Sequence, residues 1–201
     1  MGKKEQREEK EKNKKSKGPK RASSFEIALS AISCAVAAGF LALGVLSGVL
    51  LATGYFIGVI ALMLPLAKRF YRGDFLAYCG TVILALILGA VAKFWDIVPF
   101  IMFFGLHPLI NSLQLRFRWN RIVAFILKAI WFDCTLIAGY FLIYNGFLGG
   151  DFLPQAWADW INKYIYVLIF TAGTVLFFIY DWLIFKVQML VDMVIGKIKR
   201  Q

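Results

Sequence analysis

Histidine occurs once in this chain of 201 residues and cysteine three times, so the side chains that most often bind metals or form disulfides are scarce. The cysteines, Cys34, Cys79 and Cys134, each lie inside an apolar run and form no CxxC pair. We interpret them as small buried residues and not as disulfide partners. Because no histidine and cysteine residues recur at ligand spacing, the sequence predicts no metal site.

Catalytic signatures are also missing from the sequence. It contains no carboxylate pair, no nucleophile motif and no glycine-rich phosphate loop. Glycines such as Gly54 and Gly89 lie in apolar runs, where they permit close packing of helices. The sequence therefore predicts neither an enzyme nor a bound cofactor.

Long apolar runs are what the chain does have. Hydrophobic residues make up 60% of it and charged residues 17%, and the mean hydropathy is +0.70. A helix of ~20 apolar residues crosses a hydrocarbon core of ~30 Å. The runs therefore predict an all-α, polytopic membrane protein, a bundle of six transmembrane helices at residues 25–46, 49–67, 75–94, 97–115, 121–146 and 161–185.

The N-terminal segment is strongly basic. The net charge of the chain is +11, and ten of its 23 Lys and Arg residues precede position 22, where four glutamates alternate with them. We interpret residues 1–24 as a disordered cytoplasmic tail that is attracted to anionic membrane lipids. Since no aromatic residues alternate with the lysines, we expect no binding to nucleic acid.

The charges of the turns predict an orientation in the cell membrane. The turns "KRFYRGD" and "RFRWNR" and the C-terminal "GKIKRQ" are basic, whereas the turn near Ser47 carries no charge. Basic turns face the cytoplasm, so this alternation places both termini on the cytoplasmic side.

The last apolar run is longer than the bilayer requires. A helix from residue 161 to residue 196 would extend about 54 Å, well beyond the hydrocarbon core. We therefore expect a kink near Lys186, a transmembrane domain over residues 25–186, and an amphipathic interfacial segment over residues 187–201.

Polar residues inside the predicted helices mark a candidate site, because such groups are costly in lipid. Helical spacing groups them on one side of the fourth helix and one face of the fifth. Their positions along the helices place His107 at a depth of ~15 Å and Asp133 at ~18 Å, both near the midplane. The residues of the predicted site are Phe103, His107, Asn111, Asp133, Tyr140 and Tyr144.

Three interpretations of these residues stay open. They form a buried polar network that fixes helix register, a small-molecule pocket in the outer half of the membrane, or a proton relay through His107 and Asp133. A protonated state of Asp133, or its contact with His107, would relieve the cost of a carboxylate at that depth. Lys128 either extends to the interface or pairs with Asp181.

Small residues recur along one stripe of the first helix at spacings of three and four residues. Such a stripe lets helix backbones approach closely in lipid. It is either a seam against another helix of the same chain or a docking face for a partner membrane protein. Its members are Ala28, Ala31, Ala35, Ala38 and Ala42.

Six spans, cytoplasmic termini and the alanine stripe together resemble the substrate-binding S components of energy-coupling factor transporters. The segments "FFGLHPLINSL" and "FFIYDWLIF" also resemble a group of small Firmicutes membrane proteins. The first resemblance implies capture of a vitamin-like solute or an ion from the outer side. It further implies docking through the alanine stripe onto a membrane coupling protein with ATPase subunits.

Two other functions remain open. The first is a non-transporting scaffold of the cell-envelope machinery, similar to MreD-like proteins, in which the alanine stripe and the polar interior are structural. The second is a proton-coupled carrier that acts alone and depends on Asp133.

Overall fold

The computed structural model describes residues 23–141 and 163–198. Within these ranges the chain is helical and contains no strand, which confirms the all-α class. The main helices are Ser24–Ser47 (α1), Leu51–Ala67 (α2), Tyr71–Ile87 (α3), Phe94–Phe117 (α4), Arg121–Tyr140 (α5) and residues 163–198 (α6).

Within the described part of the chain, four helices are long and apolar enough to cross a membrane: α1, α4, α5 and the Lys163–Ile195 part of α6. Helix α2 is apolar but shorter, with 17 residues. These helices fit a multi-pass helical membrane protein. The crossing of all six helices, the cell membrane as the location and the cytoplasmic termini stay predictions, and residues 1–22 of the predicted tail lie outside the described ranges.

Helix α1 begins with a capping box and packs along α2 and α3. The Ser23 hydroxyl accepts a bond from the Glu26 amide at 3.2 Å, and the Glu26 carboxylate accepts one from the Ser23 amide at 3.0 Å. These bonds satisfy two of the amides that a helix start leaves unpaired.

The alanine stripe of α1 has two different environments. Ala38 and Ala42 are buried inside the chain, whereas the other three are exposed. The second half of the stripe is therefore a seam within the chain. The first half is an unoccupied surface, which we name the open alanine face: Ala28, Ala31 and Ala35.

Helix α4 is interrupted in its first half. A π-helical turn covers Phe100–Phe104, and the α-helix resumes at His107, with Pro108 in its first turn. Pro108 has no amide hydrogen to donate to the carbonyl four residues earlier, so the regular ladder cannot pass through it. Within the π-helical turn the Gly105 amide bonds to the Phe100 carbonyl, five residues earlier, and the Tyr78 hydroxyl donates to the carbonyl of Ile101 at 2.8 Å. The break in the regular α-helix therefore lies just before Pro108, at residues 100–106.

Helix α6 also contains a π-helical turn, Ile169–Gly173, followed by the α-helix Thr174–Ile198. This α-helix continues through Lys186, where the sequence predicted a kink. The boundary between a transmembrane domain and an interfacial segment at residue 187 stays a prediction.

The cysteines differ from expectation in their exposure. All three are free, but Cys34 and Cys79 are half-buried and Cys134 is exposed. The prediction of three buried cysteines was wrong, because an apolar residue on a membrane helix can face lipid as readily as protein.

Candidate functional site

Charged and polar side chains of α4, α5 and α6 converge between these helices. Asp181 Oδ1 accepts a bond from Lys128 Nζ at 2.5 Å and lies 3.0 Å from His107 Nε2. Lys128 Nζ also lies 3.4 Å from Asn111 Oδ1. One ammonium group therefore joins all three helices.

The same group of side chains continues towards the basic ends of α4 and α6. Asn111 Nδ2 donates to Gln188 Oε1 at 2.8 Å, and Gln188 Nε2 donates to Ser112 Oγ at 2.5 Å. We name the whole set the polar cluster: His107, Asn111, Ser112, Lys128, Asp181 and Gln188.

The polar cluster is buried, so its hydrogen bonds and ion pairs are largely shielded from water. His107 is 0% exposed, and the side chains of Lys128 and Asp181 are 6% and 18% exposed. Because Asp181 is an acceptor, the Nε2 atom of His107 carries the hydrogen of their bond. The other ring nitrogen, Nδ1, is buried and has no hydrogen-bond partner among the described residues. Taking these groups out of water is costly, and the opposite charges and hydrogen bonds of the cluster offset that cost.

An aromatic core closes the polar cluster on its other side. The ring of Phe103 lies 4.8 Å from Trp131, 4.9 Å from Phe132 and 5.1 Å from His107, measured between centroids. Phe177 packs against the same ring at 6.1 Å. Phe103 therefore packs between α4, α5 and α6, on the side of the cluster away from the basic turn between α4 and α5.

A cleft of about 370 Å³ adjoins the cluster and extends to Arg121 at the start of α5. Its polar lining includes Lys128, Asp181 and Asn111. Gln114 also lines it, and its buried carbonyl oxygen has no hydrogen-bond partner among the described residues. We name it the α4–α6 cleft; its apolar walls are Leu115, Ile122, Phe125, Phe178, Trp182 and Phe185.

The predicted site residues do not all meet. His107 and Asn111 belong to the polar cluster and Phe103 packs against it, but Asp133 does not bond to His107. Asp133 Oδ2 instead lies 3.5 Å from the Thr174 hydroxyl, and its Oδ1 is buried without a partner.

Of the two predicted tyrosines, only Tyr140 lies within the described residues. Tyr140 ends α5 and is half-buried, and it does not line the α4–α6 cleft. Tyr144 lies outside the described residues. Of the two alternatives for Lys128, extension to the interface or pairing with Asp181, the structure has the pairing.

Sequence reasoning left Gln188 and Ser112 out of the site. Gln188 falls beyond the predicted end of the membrane domain, yet it lies seven residues after Asp181 and so on the same face of α6. This spacing was the signal that could have found it. Ser112 follows Asn111 directly, and helical phase alone placed it on another face.

The side chains of the cluster interact through hydrogen bonds and opposite charges. Among the described residues, no three His, Cys, Asp or Glu side chains lie together in a group that could hold a metal ion. Helices and cluster together fit the class of multi-pass helical membrane proteins with a polar interior. No protein-family model, no curated protein and no solved structure matches the chain.

Proposed function

We propose that this protein is the small-molecule-binding subunit of a membrane transport system, and that its ligand lies in the α4–α6 cleft. One observation carries the proposal: Lys128, Asp181 and Asn111 contact one another in the lining of a cleft with aromatic walls. Ligand sites in proteins are typically apolar concavities with a few convergent polar groups, and polar residues at membrane depth are functional more often than those of soluble proteins.

The lining of the cleft favours an amphipathic ligand. Phe125, Phe178 and Phe185 offer a surface for an apolar or aromatic body. The buried carbonyl oxygen of Gln114 can accept a bond from a ligand donor, and Lys128 can donate to a ligand oxygen. The volume of about 370 Å³ lies near the lower end of the range for ligand pockets, so the ligand is small.

The open alanine face supports the proposed role as one subunit of a larger transporter. Ala28, Ala31 and Ala35 are exposed on α1, while Ala38 and Ala42 of the same stripe already pack against this chain. In the proposal, a membrane coupling protein with ATPase subunits covers this face. The position of the cleft favours exchange of the ligand at the basic end of the bundle, whereas the resemblance to S components implied the outer end.

A second candidate function, a non-transporting scaffold of the cell-envelope machinery, is favoured by the closure of the polar cluster. Asn111, Gln188 and Ser112 bond to one another, and Lys128 bonds to Asp181. A network of this kind fixes helix register without any ligand.

A thermal-unfolding screen of the detergent-purified protein against vitamins, their precursors and metal ions tests the proposal. A ligand that binds only the folded state at 100 times its Kd adds ~2.7 kcal/mol of stability. We expect a shift from an amphipathic solute and its loss in Ile122→Trp, which fills the cleft. Ile130→Trp is the control, because Ile130 is also an exposed isoleucine of α5, 55% against 69% for Ile122, and lies outside the cleft.

Two results would contradict the proposal. A ligand shift that survives in Ile122→Trp would place the site elsewhere. No shift across the whole panel, together with co-purification of envelope proteins without ATPases, would favour the scaffold.

A further inference from the structure

A second and larger cavity, of about 750 Å³, is lined by residues at the ends of α2 and α4 and by residues of α6. Its walls combine three arginines with one carboxylate and two buried polar residues of the polar cluster. We name it the arginine cavity; its polar lining includes Arg69, Arg116, Arg118, Asp192, Ser112 and Gln188.

Two of the arginines occupy unusual backbone positions. Arg69 has a φ of 58° and Arg118 a φ of 53°, and they are the only non-glycine residues with positive φ in the described part of the chain. The left-handed region is unfavourable for a residue with a Cβ atom, and helices that end in it usually place glycine there. The chain thus keeps arginine at two positions where glycine would be more favourable, and both face one cavity.

The described residues do not fully neutralise these arginines, although the charge of Arg69 acts on Asp192. Among the described residues, the ion pairs within 4.0 Å are those of Asp181 with Lys128 and His107, and none involves these arginines. The Arg116 guanidinium lies 5.0 Å from the centre of the Tyr71 ring, which holds it beside the cavity. Asp192 contributes one negative charge against three positive charges, so the lining has an excess of positive charge.

The buried wall of the cavity offers a further donor. Gln188 and Ser112 are 5% and 7% exposed. Ser112 Oγ accepts the bond from Gln188 Nε2, and no acceptor for its own hydrogen lies within the described residues. The Ser112 hydroxyl can therefore donate to a group inside the cavity.

Topology alone does not explain this arrangement. Basic residues near a cytoplasmic interface follow from the positive-inside rule, and Arg72 and Arg121 satisfy that rule without lining the cavity. A cation near a helix C-terminus also interacts favourably with the helix dipole, but that effect does not require the left-handed position itself.

We propose that the arginine cavity binds a phosphate group, carried either by the headgroup of an anionic lipid or by a soluble phosphorylated molecule. Guanidinium groups bind phosphate oxygens in pairs of parallel hydrogen bonds, and each such bond is assisted by charge. Basic pockets between membrane helices at a cytoplasmic interface suit lipid headgroups in the same way. The proposal does not depend on a ligand in the α4–α6 cleft.

Equilibrium binding to the delipidated protein in neutral detergent tests this site. The lipid probes are dioleoyl phosphatidic acid and, as the zwitterionic comparison, dioleoyl phosphatidylcholine; the soluble probes are inorganic phosphate and glycerol 3-phosphate. The test variant is Arg69→Gly/Arg118→Gly, which removes two charges and suits the left-handed backbone, so its unfolding temperature should not fall. Arg72→Gln is the control, because it removes a charge three residues from Arg69, in the first turn of α3 and outside the cavity.

We expect the parent protein and Arg72→Gln to bind phosphatidic acid in preference to phosphatidylcholine. The double glycine variant should bind it roughly 100-fold more weakly, about tenfold for each arginine. Equal binding of glycerol 3-phosphate would identify a soluble ligand, and binding of phosphatidic acid alone would identify a lipid. The proposal fails if the double glycine variant matches the control with every probe, or if phosphatidylcholine binds as tightly as phosphatidic acid.

Discussion

At the scale of single residues, the stability of the polar cluster depends on Lys128. Its ammonium group bonds to Asp181 and to Asn111, so it offsets a carboxylate on α6 and holds a carboxamide on α4. Removal of one partner of a buried ion pair leaves the other charge without compensation. The cost of such a change exceeds the net contribution of the intact pair, because the remaining carboxylate is still buried.

We expect Lys128→Met to lower the free energy of unfolding by about 3 kcal/mol. The double variant Lys128→Met/Asp181→Leu should lose less than the sum of its two single variants, since it removes both charges of the pair and leaves neither one without its partner. Chemical or thermal unfolding in detergent measures both effects. Lys186→Met is the control, because Lys186 is exposed on α6. A Lys128→Met variant as stable as this control would contradict the role of the ion pair.

Part of the cluster could be predicted from residue spacing, and part could not. Helical phase grouped His107 with Asn111, and counting residues from the basic ends brought Lys128 level with Asp181. Phase fixes only the angle of a side chain about its own helix. How α5 is rotated against its neighbours depends on packing, such as the Phe103 and Phe132 rings, and that rotation directs Asp133 to Thr174 instead of His107.

At the scale of helices, the close packing of α1 against α2 depends on two glycines, Gly44 and Gly54. A Cβ atom at Gly54 would lie 2.6 Å from the Phe40 carbonyl oxygen and 3.0 Å from Gly44 Cα. Both of these are backbone atoms, which cannot move aside as the end of a side chain can. Small residues permit this contact between helices, as in other membrane proteins.

Gly54→Ala should therefore separate α1 from α2 and reduce the free energy of unfolding by about 1–3 kcal/mol. The matched control is Gly39→Ala, because nothing lies within 4 Å of a Cβ atom at that position of α1. The control should fall within about 1 kcal/mol of the parent, on the stabilising side, since alanine favours the helix more than glycine does. Equal losses from both substitutions would show that helix propensity, and not the close contact, decides stability.

Hydropathy located the helices better than it located their ends. The predicted spans match the cores of all six described helices, but α3 covers Tyr71–Ile87 and not residues 75–94. Asp74 was assigned to a loop because of its charge, yet its residue is 1% exposed inside the first turn of α3. The π-helical turns of α4 and α6 leave no mark on hydropathy, because they change hydrogen bonding and not composition.

At the scale of the whole molecule, the crossing of all six helices is a prediction that depends on α2 and α3. Helices α2 and α3 each have 17 residues, a length of ~26 Å against a hydrocarbon core of ~30 Å. Two arrangements follow. In the first, both helices cross, and the turn between them lies on the same side as the turn between α4 and α5. In the second, α2 and α3 form a hairpin that does not cross the membrane. The hairpin stays on the side opposite the turn between α4 and α5, so only four helices cross.

Single cysteines distinguish these arrangements when Cys34, Cys79 and Cys134 are first replaced by alanine. We expect Val49→Cys, in the turn after α1, to react with an impermeant maleimide added to intact cells. Arg72→Cys and Trp119→Cys should react only after permeabilisation, because basic turns are retained in the cytoplasm.

Arg72→Cys decides the number of crossings, since Trp119 lies on the cytoplasmic side in both arrangements. Labelling of Arg72→Cys in intact cells, with Trp119→Cys still protected, would reduce the crossings to four. Arg69 would then lie on the opposite side of the membrane from Arg118, which is incompatible with one cavity lined by both. Protection of Arg72→Cys is therefore also a condition for the arginine cavity to bind a cytoplasmic phosphate group.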